Sequence, residues 1–448
     1  MLLTPLDLRG LSVPELTRAV PGLPVEAAFP SSEVRAILDL VRHGGDAALR
    51  DLTRRFDGVV VDALRVDHEE ISAAIEAIAP DLRAALELAY GRILAYHRHE
   101  PAPVGTFELD GVTVRHLVRP VRRAGLYAPG GRARYPSTVL MGAAPARVAG
   151  VDEIVLCVPP GSDGHIATET LAAAAIAGID EVYRVGGAQA VAAMAFGTET
   201  IRPVDVIAGP GNRYVAEAKR QVAGVVGVPA AFAGPSEVVV LADASTPVDW
   251  AAIDIVVQAE HGPDGLAWLI TWSPSLADAV SAAVEDLVAR SPRRAELEAT
   301  LGSGGYAVLV DGPAEAMLVA NVVAPEHLEI LTAEAESLLP LVRSAGAVFL
   351  GPYAPASVGD YLAGPNHVLP TSRTARFASA LRVDDFRTHI HAVSLDGDAL
   401  SRLTPHVVAM AEAEGLAAHG ESVRRRLDPD PVRVTDGHRE AADADGDP

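Results

Sequence analysis

The chain has 448 residues, of which 49% are hydrophobic and 21% charged, and its formal net charge is −22 at neutral pH. This length predicts two or three domains, and the charge argues against a generic nucleic-acid-binding protein, which needs a basic face. The one cysteine, Cys157, excludes an intrachain disulfide framework and any multi-cysteine zinc or iron–sulfur site.

The ends and the apolar stretches of the chain predict a soluble protein. The N-terminal segment MLLTPLDLRG has no basic region ahead of an apolar core, so it does not resemble a secretory signal. The longest apolar stretch, LAAAAIAGI, is far shorter than the roughly 20 residues that span a membrane. With a single cysteine, these features indicate a cytoplasmic protein.

Taken in chain order, the elements predict an α/β fold. The first hundred residues are typical of helices, and from about residue 120 short apolar strands such as IVLCV and VDVIA alternate with helices. A second alternating stretch runs from EVVVLAD to AVFLG. Such alternation predicts parallel sheets with right-handed crossovers. From about residue 381 the pattern is helical again, and the acidic last twenty or so residues are typical of disorder.

Glycine turns follow three of the predicted strands. They contain Gly130 and Gly131, Gly186 and Gly187, and Gly209 and Gly211. Glycine lets the backbone approach a phosphate, and the following helix N-terminus supplies N–H donors. Tyr127, Gln189 and Asn212 flank these turns. The GxGxxG fingerprint is absent, so a nucleotide site and simple tight turns are both compatible with the pattern.

A candidate metal site begins at the end of a helix, in QAEHGPDG. Gln258 and His261 are three residues apart and share a helix face. Asp360 and His419, each between glycines, are candidates for further ligands, and such a nitrogen and oxygen set suits zinc or manganese. A solvated helix end explains Gln258 and His261 equally well, and no spacing rule connects the four residues.

Two other groups bear on chemistry. Glu326 and His327 are adjacent in PEHLEI at the start of a strand-like segment, where they could act as a general acid and base or be ordinary polar residues. His367, in GPNHVLPT, is equally ambiguous. Cys157 lies inside an apolar strand without a basic neighbour, which predicts a buried and unreactive thiol.

These motifs together resemble the histidinol dehydrogenase family along nearly the whole chain, up to about Leu427. The matching blocks are GLYAPGGRARYPSTVLM, VGGAQAVAAMAFGTETI, VDVIAGPGNRYVAEAKRQV, AGPSEVVVLAD, QAEHGPDG, NVVAPEHLEI, GDYLAGPNHVLPT and the segment from Glu414 to His419. The resemblance implies oxidation of L-histidinol to L-histidine through histidinaldehyde, with two NAD and one zinc, in the last two steps of histidine biosynthesis.

The resemblance also implies a role for each matched residue. The zinc ligands would be Gln258, His261, Asp360 and His419, and the catalytic acid/base pair Glu326 and His327. Substrate contacts would be Ser236, His367 and Glu414, together with the zinc ligands and His327. NAD contacts would be Tyr127, Gln189 and Asn212. The family forms a homodimer with exchanged terminal segments, so His419 is expected to complete the partner's site.

The expected fold is α/β, with two incomplete Rossmann-like, aldehyde-dehydrogenase-like parallel-sheet domains and small helical terminal segments. The domain boundaries follow from the resemblance: an N-terminal helical segment (1–21), a first Rossmann-like domain with the zinc and acid/base residues (22–127 and 238–380), an inserted NAD-binding domain (128–237), a C-terminal helical exchange segment (381–427) and a disordered acidic tail (428–448).

The chain departs from the family pattern at Ala230, Ala231 and Phe232, where an Asp-Met-Pro-like run is usual, and at Gly142, which replaces an asparagine. No matched ligand or acid/base residue is missing. A relative that oxidises another small alcohol, such as a sulfonated propanediol, is the closest alternative; a zinc hydrolase and a non-catalytic binding protein are more distant ones.

Overall fold

The structure is a computed structural model, and it describes residues 2–22, 30–101, 105–130, 134–229, 236–260 and 265–427. The chain forms two compact units. The first comprises Met1–Glu100 and Pro120–Arg387, and the second comprises Pro101–Arg119 and Thr388–Pro448. The predicted tail, residues 428–448, lies outside the described residues.

The described residues contain strands and helices with the following bounds. The strands are β1 (Thr4–Asp7), β2 (Gly105–Leu109), β3 (Val112–Pro120), β4 (Arg123–Tyr127), β5 (Glu153–Val158), β6 (Glu181–Arg184), β7 (Val206–Ala208), β8 (Glu237–Ala242), β9 (Leu266–Thr271), β10 (Gly305–Leu309), β11 (His327–Ile330), β12 (Ala347–Leu350) and β13 (Arg387–Leu395). The helices are α1 (Val13–Ala19), α2 (Ser31–Phe56), α3 (His68–Ala77), α4 (Pro80–His97), α5 (Pro136–Ala149), α6 (Thr168–Ile176), α7 (Gly187–Phe196), α8 (Arg213–Val222), α9 (Val248–Ala259), α10 (Pro274–Arg290), α11 (Arg294–Gly304), α12 (Pro313–Val323), α13 (Ala335–Leu338), α14 (Ala356–Tyr361), α15 (Gly397–Ala413) and α16 (Ala417–Arg424).

The four-stranded sheet of the first unit is parallel, in the order β6-β5-β4-β7. This is the strand order 3-2-1-4 of a Rossmann sheet, with the topological switch point between β4 and β7. Helices α5 and α6 pack on one face, and α2, α7 and α8 pack on the other. Both faces are therefore covered, which is why β4 and β5 are continuous apolar runs with hardly any exposed residue.

Strand β4 lies on the other side of the predicted boundary between the two Rossmann-like domains. Strand β4 falls in the range 22–127 assigned to the first Rossmann-like domain, yet it is a central strand of the four-stranded sheet. Its backbone pairs with β5 on one side and β7 on the other. A strand that buries both faces is more stable between two neighbours than at an edge, so β4 belongs with the inserted sheet.

The six-stranded sheet of the first unit is also parallel, in the order β1-β10-β9-β8-β11-β12. Its first strand corrects the prediction that residues 1–21 are helical. Thr4–Asp7 pairs with β10, and Leu8 N donates to Leu309 O at 2.8 Å. Four residues are too few to show a strand pattern in the sequence; pairing with an existing sheet edge fixes them instead.

The second unit contains a three-stranded sheet, β13-β3-β2, and the helices α15 and α16. The prediction that 381–427 is helical is therefore wrong for Arg387–Leu395. This strand is mostly exposed, so it lacks the continuous apolar run by which the buried strands were predicted. The β2–β3 hairpin was missed for the same reason, although its Asp110-Gly111 turn, with φ of 48° and 79°, is a recognisable hairpin signal.

No helix among the described residues combines the length and the apolar character needed to cross a membrane.

Candidate active site

The predicted acid/base pair lies at the amino-terminal end of β11, where the six-stranded sheet meets a tight connection. Helix α12 ends at Ala324, which has a φ of 50°, and Pro325 directs the chain into the strand. Glu326 and His327 are 8% and 4% exposed. Ligands of open α/β sheets commonly bind at the carboxyl ends of the strands. This pair is at the opposite edge, a placement that the sequence pattern alone could not show.

His327 lies between two carboxylates. Its Nε2 is 3.5 Å from Asp360 Oδ1, and its Nδ1 is 3.8 Å from Glu326 Oε2. His367 continues the row, because its Nδ1 is 2.8 Å from the backbone oxygen of Asp360 and its Nε2 is 3.4 Å from Thr138 Oγ1. Four residues predicted from two distant segments of the chain are thus in one cluster, which we call the histidine row: Glu326, His327, Asp360 and His367.

The charges of this cluster act on His327 in opposite directions. Burial disfavours the imidazolium, but the carboxylates of Glu326 and Asp360 outweigh burial and raise the pKa of His327 to about 9. While both carboxylates are ionised, His327 is a proton donor. Neutralising either carboxylate moves the imidazole toward the neutral form that a general base needs.

Glu237 is a buried acid that the sequence analysis missed. It begins β8, is 0% exposed, and donates its backbone N–H to Glu326 Oε2 at 3.2 Å. Burial and the charge of Glu326 raise the pKa of Glu237 to about 8, so its side chain is predominantly protonated at neutral pH. An acidic residue at the head of the apolar strand EVVVLA was the available signal.

A second missed acid, Glu329, connects the three segments that carry the predicted site residues. Its Oε1 accepts a hydrogen bond of 2.8 Å from Ala356 N, at the start of α14, the helix of Asp360. Its carboxyl group is also within hydrogen-bonding reach of Asp254, one turn before Gln258 on α9. Glu329 therefore links β11, α9 and α14.

The predicted zinc ligands are only partly described. Gln258 is 3% exposed, and its Nε2 has no hydrogen-bond partner among the described residues. His261 lies outside those residues. His419, like the predicted substrate contact Glu414, is exposed and belongs to the second unit. Its role in a metal site stays a prediction.

The donor chemistry of the first unit fits a divalent cation. Within the described part of the chain, no three His, Cys, Asp or Glu side chains cluster as a metal site requires. Those side chains do not include Gln258, which is an amide, or His261, which lies outside the described residues. The amide oxygen of buried Gln258 and the carboxylate of Asp360, beside an imidazole, are oxygen donors of the kind that divalent cations accept.

The three predicted NAD contacts line one cleft of about 1720 Å³ at the carboxyl ends of the four-stranded sheet. Tyr127 is buried, and its hydroxyl accepts a hydrogen bond of 3.1 Å from Gly187 N at the start of α7. Asn212 caps α8, since its Oδ1 accepts from Tyr214 N and Val215 N at 3.0 and 3.1 Å. Gln189 is 2% exposed on α7. The three residues thus share one cleft, and their role as NAD contacts stays a prediction.

One of those turns requires glycine. Gly209 has a φ of +113°, and a Cβ at this position would collide with the backbone of Tyr127. The chain after β7 therefore passes directly against the chain after β4, at the switch point of the sheet. A cleft at this point is where a Rossmann-like sheet binds its ligand.

The structure describes only one of the two positions at which the chain departs from the family pattern. Ala230, Ala231 and Phe232 lie outside the described residues. Gly142 is in α5, and a Cβ there would be 3.1 Å from Leu126, so glycine allows close helix–strand packing. Ser236, a predicted substrate contact, precedes β8, and its carbonyl accepts a hydrogen bond of 3.0 Å from Leu266 N.

Cys157 is fully buried in β5, and burial raises the pKa of its thiol to about 12. The thiolate, which is the nucleophilic form, is therefore nearly absent at neutral pH.

Comparison with known proteins places this arrangement in a family. The family model described as histidinol dehydrogenase matches residues 26–427. The chain is 48% identical over 395 residues to the histidinol dehydrogenase of Parasynechococcus marenigrum, covering 88% of this chain and 90% of the relative. It is 49% identical over 397 residues to that of Rhizobium meliloti, covering 88% and 91%.

The crystal structure of histidinol dehydrogenase from Elizabethkingia anophelis has a TM-score of 0.90 and 34% sequence identity, and the match covers 95% of this chain and 98% of that one. The family model spans most of the chain, and the similarity extends over nearly the full length of these relatives. The chain belongs to the histidinol dehydrogenase family.

Proposed function

We propose that this protein oxidises L-histidinol to L-histidine through L-histidinaldehyde, with zinc and two NAD, in the last two steps of histidine biosynthesis. The observation that carries the proposal is the buried histidine row, in which a base candidate lies between two carboxylates within the part of the chain that matches the family. The reaction balances as histidinol, water and two NAD⁺ giving histidine carboxylate, two NADH and three protons.

Gln258, His261, Asp360 and His419 would hold the zinc. Bound zinc supplies a Lewis acid that would fix the imidazole and amine of histidinol. Engaging Asp360 as a ligand would also neutralise one of the negative charges that favour the protonated form of His327. His327 is thereby brought closer to the neutral form in which it can accept a proton.

In the first oxidation, His327 takes the proton of the substrate alcohol. Its burial excludes competing water from the imidazole, and Glu326 orients the ring from the Nδ1 side. Bound NAD supplies the hydride acceptor for each oxidation. Tyr127, Gln189 and Asn212 would bind it in the cleft of the four-stranded sheet.

In the second oxidation, water adds to the aldehyde and Glu326 takes a proton from that water. A thiohemiacetal route needs an accessible thiolate, whereas Cys157 is fully buried with a strongly raised pKa. Glu326 is buried, and the hydrogen bond that its Oε2 accepts from the backbone N–H of Glu237 holds the carboxylate in place.

The experiment that tests these roles compares E326Q and H327N in both half-reactions, with histidinol or histidinaldehyde as substrate. We expect H327N to slow both oxidations about 10²- to 10⁴-fold, since it removes a general base. E326Q should slow aldehyde oxidation by a similar factor and alcohol oxidation much less. The exposed-histidine variant H43N, outside the cleft, is the matched control and should retain full rates. Normal aldehyde oxidation by E326Q contradicts the role given to Glu326.

A further inference from the structure

Asp57 occupies an unusual place in the cleft of the four-stranded sheet. It follows the last residue of α2 and lines the cleft together with Tyr127, Gln189 and Asn212. The carboxylate is close enough to Tyr127 to act electrostatically on its hydroxyl. The sequence analysis gave Asp57 no role, and no step of the proposed reaction uses it.

The carboxyl group of Asp57 has no partner within the described residues. Its Oδ2 is buried and lacks a hydrogen bond, and burial raises the pKa of Asp57 to about 6 with no compensating contact. Asp57 also lies at the C-terminal end of a helix, where the helix dipole disfavours a negative charge. A buried hydrogen-bond acceptor without a donor destabilises the folded state, so the unpaired carboxyl group of Asp57 lowers the stability of the ligand-free protein.

The strand order of this sheet shows which donor is missing. In a Rossmann sheet an acidic residue at the end of the second strand binds the adenosine ribose. Here the second strand is β5, and Pro159 and Pro160 follow it instead. The next acidic residue, Asp163, is exposed, and its Oδ1 already accepts a hydrogen bond of 3.0 Å from His165 N.

The basic side chains that line the cleft are also engaged. Arg134 pairs with Glu169, and the guanidinium of Arg55 lies 5.1 Å from the ring centre of Phe56. His165 lies 3.6 Å from the carboxylate of Glu70. The described part of the lining therefore contains a carboxylate, Asp57, that lacks hydrogen-bond donors. Its basic side chains already contact other residues, so none is available to bind a phosphate on the ribose.

We propose that Asp57, from α2, replaces the missing strand-end carboxylate: it accepts hydrogen bonds from the adenosine ribose hydroxyls of NAD and disfavours the 2′-phosphate of NADP. This inference rests on the proposed function, in which the cleft binds NAD. Asp57 is then a specificity-determining residue. Its unfavourable environment in the free protein is relieved when a ribose supplies the donors.

The test measures binding of NAD⁺ and NADP⁺ by calorimetry, and the melting temperature without ligand, for the wild type and D57N. We expect D57N to bind NAD⁺ about 10- to 100-fold more weakly, the range for losing a hydrogen bond to a charged group. The preference for NAD⁺ over NADP⁺ should shrink by at least about tenfold. The ligand-free melting temperature should stay the same or rise. D39N removes an equal charge from an exposed position of α2 outside the cleft and should change neither affinity nor preference.

Each other outcome has its own meaning. If wild type binds NAD⁺ and D57N binds it equally well, the role of Asp57 is overturned while the cofactor assignment stands. If D57N has a lower melting temperature but an unchanged affinity for NAD⁺, Asp57 stabilises the fold and the proposed role in NAD binding is likewise overturned. If wild-type protein binds no NAD⁺ at all, the proposed function itself fails.

Discussion

The imidazole of His327 has a carboxylate beside each ring nitrogen, and the two differ in how the sequence reveals them. Glu326 is adjacent in the chain, so its proximity could be predicted. Asp360 reaches Nε2 only because α14 is placed against β11, and no spacing rule connects positions 33 residues apart. Glu237 depends in the same way on pairing of β8 with β11. The residue types proposed for the chemistry could be predicted from the sequence, whereas the distances between them required the fold.

The buried thiol of Cys157 gives a prediction at the residue scale. In C157A we expect both oxidations to proceed within about twofold of wild type, because the thiol is not ionised or accessible. Thiol-directed alkylating reagents should likewise leave the folded wild-type enzyme active. The measurement is the rate of NADH formation with histidinol and with histidinaldehyde. If C157A lost only aldehyde oxidation, the result would support a thiohemiacetal intermediate and contradict the addition of water to the aldehyde.

At the scale of elements, the relative placement of β11, α9 and α14 depends on one carboxyl group. Glu329 accepts a hydrogen bond from Ala356 N and faces the half-buried Asp254 carboxyl, and two neighbouring carboxyls can share a hydrogen bond only if one keeps its proton. Burial, together with Asp254, raises the pKa of Glu329 to about 9. His327 acts on it weakly in the opposite direction.

This pair gives a prediction for stability against pH. An acid whose pKa is higher in the folded state releases its proton on unfolding, so its contribution to stability falls as pH rises toward 9. In wild type this lowers the unfolding free energy by up to about 1.4 kcal/mol per pH unit between pH 6 and 8. E329Q keeps an acceptor for Ala356 N but cannot ionise, so its unfolding free energy should fall less steeply.

The measurement is urea unfolding of wild type and E329Q at pH 6, 7 and 8. The exposed carboxylate variant E336Q is the control and should follow the wild-type slope. Parallel slopes for wild type and E329Q would show that Glu329 is ionised throughout and that no proton is shared with Asp254.

Helices and strands could be predicted from the sequence where their burial produces a recognisable apolar pattern. Several central strands of the two parallel sheets are buried apolar runs, and IVLCV and VDVIA are in β5 and β7 as expected. Exposed antiparallel strands carry no such run, and β2, β3 and β13 were missed. The segment ESLLPLVRSAG forms only α13 and a short 3₁₀ turn, because Pro340 interrupts a longer helix.

At the scale of the whole molecule, we propose a homodimer in which terminal segments are exchanged. The second unit exposes many large apolar side chains for its size, which is typical of a surface that associates. They include Phe107, Leu109, Ile390, Val393, Leu395, Val407 and Met410. A histidine from this unit, His419, would complete the zinc site of the partner. A cytoplasmic location also stays a prediction.

Subunit mixing tests the exchange. H327N and H419N should each be inactive, but after denaturation and refolding together, hybrid dimers would contain one site with both native histidines. Random pairing then restores about a quarter of wild-type activity. Refolding each variant alone is the control. No recovery in the mixture, with dimers present by light scattering, would place His419 in the site of its own chain.

The most direct test of the account is the number of NADH formed per histidinol by metal-analysed protein. Absorbance at 340 nm follows NADH while limiting histidinol is consumed to completion, and product analysis identifies the acid. We predict two NADH and one histidine per histidinol, with one zinc per subunit. Removing the zinc should abolish the formation of both NADH and histidine. Turnover of a sulfonated propanediol without turnover of histidinol, or product without NADH, would contradict it.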